Sequence, residues 1–146
     1  VDKLILPYAI NLNPDLVIIQ AGTDCLEDDP QSNMSLSNFA YWQCVSKLKD
    51  VSTKTLILGG GGYNPYITAK AWAGNWLVLN SKEKLLETNL TEECQNLLKS
   101  LSWKNSRVRN GIPNRWLYNW IDDKNSSFVR DEIKRLVDEV KKIKKI

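Results

Sequence analysis

Leu56-Ile57-Leu58-Gly59-Gly60-Gly61-Gly62-Tyr63 is the stretch whose reading decides the fold of this chain. It ends an apolar strand in four glycines and then presents one phenol. Glycine lets backbone approach a ligand closely or take a positive φ. Upstream, Pro14-Asp15-Leu16-Val17-Ile18-Ile19-Gln20-Ala21-Gly22-Thr23-Asp24 repeats the plan, with a strand ending in Gly22, Thr23 and a lone carboxylate. Leu16–Gln20 is a near-continuous apolar run, as a strand buried on both faces should be. Between the strands, Gly22–Ser35 reads as a loop and Leu36–Leu48 as a helix with a serine cap before it. After Tyr63, Ile67–Leu79 returns to helical spacing. Strand–helix–strand–helix alternation predicts an α/β fold, a parallel sheet with helices on both faces. Open sheets of this kind bind ligands beyond the carboxyl ends of their strands. Asp24 and Tyr63 would then share one cleft.

The flanks are less regular. Residues 2–12 read as a short helix interrupted by Pro7, since an interior proline removes a hydrogen bond. Glu92–Leu101 is a predicted helix. Ser102–Ser127 reads as loop-rich, its tryptophans 103, 116 and 120 anchoring it to the core. Phe128–Ile146 reads as an amphipathic helix with acids at its start and lysines at its end, which suits the helix dipole. The division expected is residues 1–80 as catalytic-type α/β structure and 81–146 as a helical, loop-rich extension packing on the same domain.

The 146 residues carry a net charge of +3, too little to point to nucleic acid. The sign is uneven: residues 1–80 sum to −2 and residues 81–146 to +5, with acids interleaved among the bases. No segment is long and apolar enough to span a bilayer, and no signal-peptide pattern opens the chain. Three widely spaced cysteines, Cys25, Cys44 and Cys94, make neither a CxxC pair nor a disulfide framework. The expectation is a reducing, cytoplasmic setting (nuclear in a eukaryote), without membrane or direct nucleic-acid contact. The chain has no histidine. By itself it therefore holds neither a Ser-His-Asp triad nor a histidine-rich zinc site.

A dinucleotide fingerprint requires Gly-x-Gly-x-x-Gly. Counted from Gly59, the third glycine falls on Asn64, and no Gly-Lys-Ser/Thr triplet exists. A plain strand–helix turn remains open, but each glycine costs roughly 0.5–1 kcal/mol relative to alanine. Four in a row favour a ligand-facing loop. Alone, Asp24 reads first as a helix cap or a loop carboxylate and only second as a metal ligand, since one carboxylate makes no zinc site. Alone, Tyr63 reads as a partly buried aromatic.

Taken together, PDLVIIQAGTDCLEDDP, a helix, then LILGGGGYNPYITAKAW resemble the zinc-dependent deacetylases of the histone-deacetylase and acetoin-utilisation family. That family's Gly-Ala-Asp appears as Gly22-Thr23-Asp24, its Asp-Pro as Asp29-Pro30, and its Gly-Gly-Gly-Gly-Tyr intact at 59–63. Ala69 and Trp72 match its downstream alanine and tryptophan. The resemblance covers about residues 1–80, roughly the C-terminal half of the family's catalytic domain.

It implies an arginase/deacetylase-like, Rossmann-like three-layer fold. It implies hydrolysis of N-acetyl-lysine or a related acetylated amine, with zinc polarising the amide carbonyl and activating water. Asp24 looks like a zinc-ligating aspartate, and Tyr63 like the phenol that hydrogen-bonds the acyl oxygen as the oxyanion forms. Gly61 and Gly62 would shape the acyl tunnel, and Gln31 would stand at its rim. The sequence departs from the pattern at Thr23, where alanine is usual, at Lys70, where arginine is common, and at Met34, where an aromatic is common. The family's second aspartate, zinc-binding histidine and His-His pair are not in these 146 residues. The expectation is a fragment, a split reading frame or one piece of a two-chain enzyme, inactive alone and partnered by the missing N-terminal half. The rivals are a non-catalytic α/β remnant that binds a partner or small ligand and a nucleic-acid or partner-binding module built on residues 81–146.

Overall fold

In the computed structural model, residues 1–31, 33–122 and 129–144 are described. Two strands, β1 (Val17–Gln20) and β2 (Thr55–Leu58), pair in parallel, with Val17 opposite Thr55 and Gln20 opposite Leu58. The connection between them carries α2 (Asn38–Lys49), and α3 (Pro65–Leu79) follows β2. This is the parallel α/β plan predicted from the alternation. Helix α1 (Ile5–Leu12) precedes β1, while α4 (Glu92–Ser100), the single-turn α5 (Asn114–Leu117) and α6 (Asp131–Lys144) follow α3.

Sequence and local structure agree closely, with instructive shifts. Pro7 does not break α1, because it sits in the first turn, where amide groups have no intrahelical partner. Helix α2 begins two residues later than predicted. Ser37, in extended conformation, caps it by accepting from the Ala40 amide. Ser35 instead has a φ of 51°, and Leu36 bridges Leu26. Helix α3 begins two residues earlier, because Asn64 caps it and Pro65 supplies a preset φ in its first turn. Phe128 and residues 145–146, at the ends of the last predicted helix, lie outside the described residues.

The core lies between α2, α3 and the chain beyond α3. Trp42, Tyr66, Ile67, Ala71, Val78 and Trp116 are buried there. Trp42 donates its indole N–H to the Ala71 carbonyl at 3.0 Å, so its one polar atom is satisfied. The strands alternate between half-buried and exposed residues. Val17, Ile19 and Ile57 turn inward, whereas Leu16, Ile18, Leu56 and Leu58 are exposed. Burial on both strand faces, expected from the continuous apolar runs, is therefore not reached within these residues. Among the described residues the outward side chains of both strands are left without a covering helix, Ile18 remaining 57% and Leu56 46% exposed.

The segment beyond α3 is tied down by side chains reading its backbone. The Asn38 side-chain amide donates to the Trp120 carbonyl at 2.7 Å and accepts from the Asp122 amide at 3.0 Å. Tyr66 donates to the Leu101 carbonyl at 3.0 Å. Tyr66 also stacks on Trp116, with ring centroids 5.6 Å apart, and meets Trp103 edge-on at 6.3 Å. Trp103 and Trp116 thus act as the packing anchors predicted for this region.

Candidate functional site

The site forms where β1 and β2 end side by side. The Ala21 amide donates to the Leu58 carbonyl and the Thr23 amide to the Gly61 carbonyl, so parallel pairing continues past both strands. The Thr23 hydroxyl meets that of Thr68 at 2.9 Å, tying the first loop to α3. Below this point, Asn75 donates to the Tyr41 hydroxyl, which donates to the Ala21 carbonyl, both at 2.9 Å. A buried polar chain therefore supports the strand end from beneath.

The glycine run is explained by what lies against it. A Cβ on Gly61 would fall on the Asp24 carboxylate, and one on Gly62 would fall on the Thr23 hydroxyl. Gly62 also has a φ of +154°, which residues with side chains rarely adopt. Close approach to Asp24 and Thr23, rather than turn geometry alone, accounts for glycine here. The structure thus sets the half-buried Asp24 against Gly61, two residues from Tyr63. Tyr63 itself is 52% exposed, unlike the partly buried aromatic that a lone tyrosine suggests. Gln31 is also exposed.

One residue joins the predicted positions. Asp29 is fully buried, and its carboxylate accepts from the Tyr63 amide at 2.7 Å and from the Gln31 amide at 2.8 Å. Sequence reasoning noted Asp29 as part of an Asp-Pro pair and assigned it no task. Asp28, at a φ of 71°, faces the later segment. It pairs with Arg115 and accepts from the Trp116 indole at 3.0 Å. Its carbonyl accepts from the Asn64 side chain at 3.2 Å. Arg107 donates to the Asp29 carbonyl at 2.9 Å. The acidic loop is thereby knotted to the glycine loop and to residues 107–116 together.

Lys70 is buried on α3, where it pairs with Asp122 and donates to the Arg115 carbonyl at 2.8 Å. Burial pushes the Lys70 ammonium below its usual range and the Asp122 carboxyl above its own, each opposed by the other's charge.

Residues 1–79, just over half the chain, match the histone deacetylase domain. The chain belongs to that family. Over 60 residues it is 35% identical to histone deacetylase 8 of Danio rerio, covering 41% of this chain and 16% of that protein. Over 77 residues it is 34% identical to histone deacetylase clr6 of Schizosaccharomyces pombe, covering 53% of this chain and 18% of that protein. The fold is similar to the crystal structure of an HDAC homolog from Aquifex aeolicus. The TM-score is 0.75 at 28% identity, over 93% of this chain and 37% of that one. The arginase/deacetylase-like α/β assignment follows from that likeness. The chain spans less than a fifth of the length of the two curated deacetylases.

Deacetylases of this family are generally zinc-dependent, and the donor set can be tested against that. Among the described residues, no three His, Cys, Asp or Glu side chains converge to hold a metal ion. Asp24 offers one carboxylate, whereas a catalytic zinc takes three protein ligands. The described residues of this deacetylase-family chain do not, by themselves, fit zinc.

Proposed function

We propose that this chain contributes part of the active site of a deacetylase that hydrolyses N-acetyl-lysine or a related acetylated amine. The observation carrying this reading is the Asp24 carboxylate lying against Gly61 in the loop that presents an exposed Tyr63. Tyr63 donates its phenolic hydrogen to the acyl oxygen as negative charge develops there. A donor already in place for that charge stabilises the transition state more than the ground state. Gly61 and Gly62, drawn in against Asp24 and Thr23, form the wall of the acyl passage beside the phenol, and Gln31 stands at its entrance. Asp24 contributes one metal ligand, and the remaining ligands and the acid–base pair come from the rest of the catalytic domain, in the same or another chain. Residues 81–146 serve as an extension of that domain, a reading supported by their ties to Asp28, Asn38 and Lys70. Three free cysteines support a reducing compartment, cytoplasmic or nuclear.

The test is an acetyl-lysine peptide assay with added zinc, on this chain alone and with the remainder of the catalytic domain supplied. The expected result is turnover only with the remainder present, and its loss of rate in Tyr63→Phe. Failure of any supplied remainder to give turnover, with specific ligand binding retained by the chain, would favour a non-catalytic binding role.

A further inference from the structure

The run Gly59–Gly62 gives the site a conformational difficulty. Four glycines have the greatest backbone freedom available, yet the phenol that follows them must stand at one place. Placement matters because misplacing a reacting group by about 1 Å can cost roughly 100-fold in rate. The structure shows where that freedom is removed. The Gly61 carbonyl is held by the Thr23 amide at 2.7 Å, and the Asn64 side chain is held by the Asp28 carbonyl. Between them, the Tyr63 amide donates to the Asp29 carboxylate at 2.7 Å.

The Asp29 contact differs in kind from the other two. It is a charge-assisted hydrogen bond, shorter and roughly twice as strong as a neutral one. It also comes from a carboxylate with no solvent exposure. Burying a carboxylate is costly unless it is well hydrogen-bonded. Here the other oxygen accepts from the Gln31 amide, so one buried group fixes the main chain at two positions, Tyr63 and Gln31. Arg107 holds the carbonyl of the same residue from the far side.

We propose that Asp29 is the positioning residue of this site, its buried carboxylate fixing the main chain at Tyr63 and Gln31 and so setting where the phenol stands. The inference rests on the role proposed above for Tyr63, and Asp29 acts through that residue without touching substrate.

The test is a double-mutant cycle in the active enzyme containing this chain, combined with hydrogen exchange at the Tyr63 amide. Asp29→Ala should lower kcat by about 10–100-fold while KM changes little, and should speed exchange at Tyr63. Asp29→Asn keeps one acceptor oxygen and should recover part of the loss. In the Tyr63→Phe background, Asp29→Ala should add almost nothing to the loss in kcat, because the group it positions is gone. An equal loss of kcat in both backgrounds, or unchanged exchange at Tyr63, would overturn the proposal. If Asp29→Ala fails to fold, Asp29→Asn carries the same cycle. Full activity of Tyr63→Phe would sink the oxyanion role. The exchange measurement then decides the anchor alone, faster exchange upholding it and unchanged exchange removing it.

Discussion

The ammonium of Lys70, on α3, is buried against the carboxylate of Asp122, fifty-two residues later in the chain. The same ammonium donates to the Arg115 and Asn119 carbonyls, so one side chain reads three points of the later segment. Removing one partner of such a pair leaves an uncompensated buried charge, at a cost of about 3–5 kcal/mol. Lys70→Met should therefore lower the unfolding free energy by about that amount. Adding Asp122→Leu should restore a large share, since no charge is then stranded. Denaturant unfolding of the two variants checks this. Equal stability of Lys70→Met and the parent chain would show that the pair does not hold the segment.

Tyr63→Phe separates chemistry from folding. The side chain is 52% exposed, so removing its hydroxyl should leave the unfolding midpoint unchanged. In the active enzyme, kcat should fall by about 10²–10³, the loss typical of an oxyanion donor. Kinetics and thermal unfolding measured on the same preparation decide. A fall in stability matching the fall in rate would make the phenol a structural group.

Gly61→Ala tests why the loop is glycine. The new methyl would collide with the Asp24 carboxylate, which must then move. The expected result is loss of activity in the active enzyme with only a modest loss of stability, about 1–3 kcal/mol as for other overpacked sites. Retained activity would mean that the position of Asp24 against Gly61 does not matter to the reaction.

What the sequence revealed depended on how local the cause was. The strands at 17–20 and 55–58 were legible because apolar runs ended in glycine, and their order placed Asp24 beside the glycine loop. The start of α2 was not. Ser35 and Ser37 are the same residue type, and only backbone conformation decides which one caps. The Asn64 cap was legible in principle, since Asn-Pro ahead of a helical pattern is a start signal. The burial of Lys70 was not legible, because lysines are almost never fully buried. Its acceptors lie 45 to 52 residues away. Asp29 reaches Tyr63 across 34 residues of sequence, a contact that no periodicity encodes.

Cys44 and Cys94 should differ in reactivity. Cys94 is exposed, whereas Cys44 is half-buried and burial pushes its thiol above the usual value. The thiolate is the nucleophile, so a raised pKa slows alkylation at neutral pH. Iodoacetamide at pH 7.5–8 (roughly the range below an ordinary thiol pKa) should label Cys94 first. The Cys44 rate should keep climbing above pH 9.0, the ordinary value, before levelling. Peptide mass mapping over time reads both. Cys44 labelling as fast as Cys94 would show that its burial does not persist in solution.

The isolated chain should self-associate. Among the described residues, β1 pairs only with β2, so each strand keeps an open outer edge. Such edges are templates for pairing with another chain. Leu16, Ile18, Leu56 and Leu58 are exposed on these strands and at the start of β1, adding an apolar patch of the kind that marks a contact surface. Ile18 and Leu56 stand directly opposite one another in the register. Replacing them with an opposite-charge pair, Ile18→Lys with Leu56→Glu, keeps a favourable cross-strand contact while making the patch polar. Size-exclusion chromatography with light scattering should find the parent chain in multimers and the double variant shifted toward monomer. Supplying the rest of the catalytic domain should have the same effect on the parent chain by covering the patch. A monodisperse parent monomer with a cooperative unfolding transition would instead show that these 146 residues are a complete domain, and the reading of the chain as part of a deacetylase active site would give way to a binding role.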